Sequence, residues 1–111
     1  MTQYLINARA TQDLSEIAEY LAGISLKQSD RFLQDFDHKC VQIVNFPLSG
    51  KSYGELRPDL RGMIFQGYFI FYRVLENEVE IMRVIAGRRD LTSLFDKPGW
   101  VRPQFDTIKG R

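Results

Sequence analysis

The chain has 111 residues, of which 44% are hydrophobic and 13% aromatic, and its formal net charge is +1. That length accommodates one domain with a core of ordinary size and leaves no room for a second. The near-neutral balance excludes nucleic-acid binding driven by bulk charge, and the single cysteine, Cys40, excludes an internal disulfide framework or a cysteine-rich metal cluster.

The charge is unevenly spread. Residues 1–45 carry four Lys/Arg and six Asp/Glu, whereas residues 46–111 carry eleven and eight. The basic excess therefore lies in the second half. No apolar run approaches the ~20 residues that span a bilayer. The amino terminus has no basic stretch followed by an apolar block, so no signal peptide is expected and the cytoplasm is the expected location.

Tyr4 to Asn7 is a short strand candidate. From Thr11 to Ile24, the residues Leu14, Ile17, Ala18, Leu21 and Ile24 recur at three- and four-residue spacing, which predicts an amphipathic helix. Thr11 is a suitable N-cap, and Asp13 and Glu16 sit early, where the helix dipole favours acids. Ser25-Leu26-Lys27-Gln28 has the capping-box pattern and opens a second helix that runs to about Asn45. Its stripe is Phe32, Leu33, Phe36, Cys40, Ile43 and Val44. Pro47 stops it, because proline disfavours helix in the residue before it. So few residues separate the two helices that an antiparallel hairpin is expected.

Pro47 to Asp59 reads as loop, punctuated by Gly50, Gly54 and Pro58. Three strands follow at about Leu60–Gln66, Phe69–Leu75 and Val79–Ile85, with Gly67 in the first turn and Glu76-Asn77 in the second. If Glu76-Asn77 is a two-residue turn, Arg73 lies opposite Glu80 as a cross-strand ion pair. Asp90 can cap a short helix from Leu91 to about Phe95. The domain is expected to occupy residues 1–95, and residues 96–111 form a tail with Trp100 and Phe105 as possible anchors. The order is β-α-α-β-β-β followed by a short α. It predicts an α+β fold with a helical hairpin on one face of a small antiparallel sheet.

Five arginines, Arg61, Arg73, Arg83, Arg88 and Arg89, lie in or beside the three strands. Such a surface suits an anionic or macromolecular partner. Aromatics on the sheet face away from the helices would need the tail, through Trp100, or a partner to cover them. No residue set fits a metal or cofactor site. Lys51, Ser52 and Tyr53 have no plausible base nearby in sequence for nucleophilic chemistry.

The order of elements resembles the RelE/ParE superfamily of type II toxins. So do several motifs: Phe46-Pro47-x-x-Gly50, Leu60-Arg61, Tyr68 to Val74, Glu80-Ile81-x-Arg83-Val84 and Gly87-x-Arg89-Asp90-Leu91-x-x-Leu94-Phe95. The helical stretch from Ala8 is similar to the ParE branch. The resemblance covers roughly residues 4–95. It implies a small cytoplasmic toxin neutralised by a cognate, ParD-like antitoxin that folds over the helical hairpin and sheet edge. Promoter DNA would be contacted only through that complex. The ParE branch targets DNA gyrase, whereas the RelE branch cleaves messenger RNA on the ribosome.

RNA cleavage needs groups that move protons and steady the phosphorane. At the positions where nuclease relatives carry histidine, tyrosine and arginine, this chain has Ala86, Phe95 and Phe69. The one histidine, His38, lies mid-helix off the apolar stripe, and arginine hardly deprotonates. No catalytic residue is therefore expected. The implied role is a ParE-like gyrase inhibitor that binds its target through Arg61, Arg83, Arg88 and Arg89 and its antitoxin near Leu21, Ile24 and Leu26. The alternatives are a ribosome-dependent ribonuclease with an arginine-only site and an inactive antitoxin-binding homologue.

Overall fold

A computed structural model describes residues 3–87. Strand β1 (Gln3–Ile6) leads into helices α1 (Ala8–Ile24) and α2 (Leu26–Asn45), followed by β2 (Lys51–Ser52), β3 (Leu60–Phe65), β4 (Tyr68–Val74) and β5 (Glu78–Ala86). The sheet order is β1-β5-β4-β3-β2. The expected sheet was antiparallel throughout. Instead β1 pairs with β5 in parallel, Gln3 opposite Glu78 and Ile6 opposite Ile81, while the remaining pairings are antiparallel. The long connection through both helices brings the first strand back alongside the last.

Helix α1 begins one turn earlier than its stripe predicts. Asn7 is the N-cap, its side chain accepting the Ala10 N–H at 2.8 Å, and its own N–H donates to the Ile81 carbonyl at 3.1 Å. One residue thus ends the β1–β5 ladder and starts the helix. Ser25 alone separates α1 from α2 and accepts the Gln28 N–H, as the capping-box pattern predicts. The hairpin bend is therefore a single residue.

The helices cover one face of the sheet. Phe32, Phe36, Cys40 and Ile43 of α2 and Ala10 and Leu14 of α1 pack against Phe65, Ile70, Tyr72, Val79, Ile81 and Val84. Alternation along β4 sends Phe71 to the opposite face. There it joins Leu60, Met82 and Ile85 in a second buried cluster, against which Tyr53, Leu56 and Phe69 pack. The Tyr53 ring meets Phe71 edge-on with centroids 5.4 Å apart. The loop after β2 thus covers aromatics that the sequence assigned to the tail or a partner. The predicted short helix Leu91–Phe95 and the tail lie outside the described residues.

Two-residue turns join the hairpins. Gln66 (φ 51°) and Gly67 (φ 84°) connect β3 to β4, the double positive φ of a type I′ turn. Glu76-Asn77 connects β4 to β5, closed by the Leu75 N–H donating to the Glu78 carbonyl at 2.7 Å. Arg73 accordingly stands opposite Glu80, and its Nε donates to the carboxylate at 2.8 Å.

Candidate functional site

Strand β5 is longer than its neighbour β1, which ends at Ile6, opposite Ile81. Beyond that point the β1-side edge of residues 82–86 has no strand partner among the described residues. A bulge falls where the neighbour is lost: Phe71 pairs with Arg83 and Tyr72 with Ile81, leaving Met82 without an opposite residue. Helix α1 runs past this free edge. Between them lies a groove of about 510 Å³, lined by Arg9, Glu16, Ile17 and Tyr20 from α1 and by Val84 and Ala86 from β5, with Tyr68 beside them.

An ion pair forms the floor of the groove. Arg83 donates from Nε to Asp13 Oδ2 at 2.7 Å and from Nη2 to Asp13 Oδ1 at 3.1 Å, a bidentate fork. The two side chains are only 7% and 8% exposed. Asp13 Oδ2 also accepts the Val84 N–H at 3.0 Å. One carboxylate therefore neutralises a buried guanidinium and satisfies a backbone donor on the free edge. Arg9 lies at the same groove. Its Nη1 donates to Gln12 Oε1 at 3.1 Å, while its buried Nε meets no acceptor among the described residues.

The sequence-expected target residues fall into three environments. Arg61 is half-buried, and its Nη1 donates to the Gly50 carbonyl at 2.7 Å and the Leu48 carbonyl at 3.3 Å, holding the loop after α2. Arg83 is inside the Asp13 fork, so a target reaching it must compete with that carboxylate. Arg88 and Arg89 lie outside the described residues. Of the expected antitoxin residues, Leu21 is half-buried against the core, whereas Ile24 and Leu26 are 59% and 72% exposed at the hairpin bend. Tyr20, exposed on α1, extends that apolar ridge toward the groove.

Asp13, Arg9 and Tyr20 did not stand out in the sequence. Asp13 reads there as an ordinary acid in the first turn of a helix. A signal was nonetheless present: Asp13, Ile17 and Leu21 are four residues apart, so the acid lies on the margin of the apolar stripe.

Tyr72, Tyr4 and Cys40, packed at the sheet, all have raised pKa values. Tyr72, buried in the core, donates its hydroxyl to the Pro47 carbonyl at 2.7 Å and accepts the Gly50 N–H at 2.9 Å. Burial raises its pKa, against the lowering effects of that amide and of Arg61. Burial, and next the hydrogen bond to Asp37, raises the pKa of Tyr4. Burial, aided by the nearby Asp37 charge, pushes the Cys40 thiol up to about 12. His38 is exposed on α2. No trio of potential metal ligands occurs among the described residues, nor is any described helix long and apolar enough to cross a membrane.

Residues 4–91 match the family model described as "ParE toxin of type II toxin-antitoxin system, parDE". No curated protein matches the sequence. Among solved structures, the chain is similar to the one titled "Chromosomal ParDE TA system from P. aeruginosa". That match has a TM-score of 0.64 at 19% identity and covers 78% of this chain and 95% of that one. At that identity the structural likeness speaks for the fold.

Proposed function

Because the chain belongs to the ParE toxin family of type II toxin–antitoxin systems, we propose that it acts in the cytoplasm by binding DNA gyrase and trapping its DNA-bound state. The observation that carries this reading is that Tyr72 of β4 and Cys40 of α2, both buried in the core, are not poised to move a proton near neutral pH. Tyr72 is fixed between a carbonyl and an amide with a raised pKa, and Cys40 is buried with its thiol near 12. General acid–base work at neutral pH calls for a group poised near that pH. A binding inhibitor needs no such group. In this reading Arg61, Arg88 and Arg89 meet the target, and Arg83 shapes the surface from its place beneath the groove.

The antitoxin is proposed to occupy two adjoining features. An amphipathic helix would bury the exposed ridge of Tyr20, Ile24 and Leu26. An extended segment would then pair with the unpartnered edge of β5, offering a carbonyl to the Arg9 Nε. Promoter DNA would be reached through the antitoxin in that complex.

Supercoiling by purified gyrase, with and without the protein, tests the proposal. Inhibition with accumulation of cleaved DNA is expected, and equimolar antitoxin should relieve it. Unimpaired supercoiling, together with codon-phased cuts in mRNA on translating ribosomes, would replace this reading with ribonuclease activity.

A further inference from the structure

We propose that the turn after α2 is the toxin's anchor on its target, with Phe46 and Leu48 entering an apolar recess of that protein whose rim is acidic. The inference rests on the reading above, that the chain acts by binding, and it names the surface that binds.

Single exposed apolar side chains are ordinary. The setting of these two is not. Phe46 and Leu48 are 64% and 69% exposed, yet the backbone that carries them is tied down along its length. The Phe46 N–H donates to the Gln42 carbonyl at 2.9 Å. The Phe46 carbonyl accepts the Ser49 N–H at 3.0 Å, which closes a β-turn with Pro47 at its second position. The Pro47 carbonyl accepts the Tyr72 hydroxyl, and the Leu48 carbonyl accepts Arg61 Nη1. Gly50 gives its N–H to Tyr72 and its carbonyl to Arg61. A Cβ at Gly50 would lie 2.5 Å from the Tyr72 hydroxyl, so only glycine lets the turn sit against that buried ring. A plain connection is built from residues that bond to their own backbone. This one presents Phe and Leu from a frame fixed to the core, so little order remains to be lost when a partner buries them. Fixed aromatic and aliphatic side chains of this kind form the centres of interfaces.

The charge around the turn calls for an acidic partner. Residues 38–54 contain no Asp or Glu, and they carry Lys39 and Lys51. Lys51 is exposed in β2, directly after the turn, and Arg61 lies behind it. Position separates this surface from the two features proposed for the antitoxin. Strands β2 and β3 are on the opposite side of the sheet from β1 and β5. The hairpin bend is at the other end of α2, a helix of 20 residues and therefore roughly 30 Å away. The occupant assigned to the turn is accordingly the target protein.

Growth after induction without antitoxin reads this contact whatever the target is. Phe46→Ser combined with Leu48→Ser should need at least tenfold more protein than the wild type to arrest growth. Its urea midpoint and antitoxin affinity should be unchanged. Phe46→Tyr with Leu48→Met, which keeps the apolar bulk, should arrest growth at the wild-type dose. Lys51→Glu should weaken the arrest several-fold, Lys51→Arg should not, and this pair decides the matter if the serine variant loses stability. Full potency of the serine variant or of Lys51→Glu would overturn the proposal, as would a wild-type chain that leaves growth unaffected. So would antitoxin affinity lost in step with toxicity, which would give the turn to the antitoxin. A wild-type dimer dissolved by the serine substitutions would give it to a second copy instead. Supercoiling by purified gyrase separates the anchor from the reading beneath it. Equal inhibition by wild type and serine variant would keep gyrase and remove the anchor. Supercoiling untouched by a wild type whose growth arrest needs Phe46 and Leu48 would keep the anchor and remove gyrase.

Discussion

Asp13 accepts three hydrogen bonds. It closes a bidentate pair with a buried arginine and also accepts a backbone N–H from the free edge. Removing one member of such a pair leaves the other charged and desolvated. Asp13→Ala should therefore lower stability by about 3–5 kcal/mol, read as a drop in the urea midpoint. Replacing both partners, as Asp13→Leu with Arg83→Met, should recover most of that loss. A single substitution as mild as an exposed helix change would show the pair to be far less desolvated than its geometry indicates. Cys40 gives a second prediction at this scale. Its thiol rises from an ordinary 9.0 to about 12 in the folded chain. The unfolded chain thus loses this proton first, and stability declines as pH climbs from 9.0 toward 12. Urea midpoints across that range should fall less steeply in Cys40→Ala, with a residual slope from Tyr72 and Tyr4, whose pKa values are raised in the same direction.

Among the elements, the β3–β4 hairpin depends on its turn. Gly67 sits at φ 84°, a conformation in which a Cβ is strained even though no atom lies within 4 Å of the place it would take. Gly67→Ala should cost about 1 kcal/mol through backbone conformation alone. For a domain of this size that lowers Tm by roughly 4–8 °C. Gln66 also has positive φ, but its side chain donates to Asp35 at 2.9 Å and ties the turn to α2. The α1–α2 bend carries the other prediction at this scale. Ile24→Glu and Leu26→Glu place charges on an exposed apolar ridge, so stability should hardly change. Antitoxin affinity, measured by calorimetry, should fall at least tenfold if this ridge is the centre of the interface.

Across the whole molecule, what could be read in the sequence depended on how far apart the partners are along the chain. Both helices and all three strands of the meander announced themselves through local periodicity. The Arg73–Glu80 pair was legible because a two-residue turn sets its register. Three features were not. Strand β2 is two residues long and has no period to detect. The parallel pairing of β1 joins residues 75 apart, Gln3 with Glu78. The burial of Asp13 depends on Arg83, 70 residues away. The candidate site is built mainly from the second and third of these, which is why the arginines were visible in the sequence and the groove was not. The same topology orders local stability. Amides of β4 and of β5 between Val79 and Ile81, flanked by strands on both sides, should exchange slowest. Those of the outlying β2 should exchange first.

The neighbouring of the first and last strands has a consequence for synthesis. While the chain grows on a ribosome, Gln3–Ile6 waits without a mate until Glu78–Ile81 has been made and released. The helical hairpin can form early, but the sheet that organises the remaining surface cannot close. If the ridge at the bend receives the antitoxin, as proposed, a nascent toxin presents it before the sheet is complete, and an antitoxin already in the cell has that interval in which to meet it.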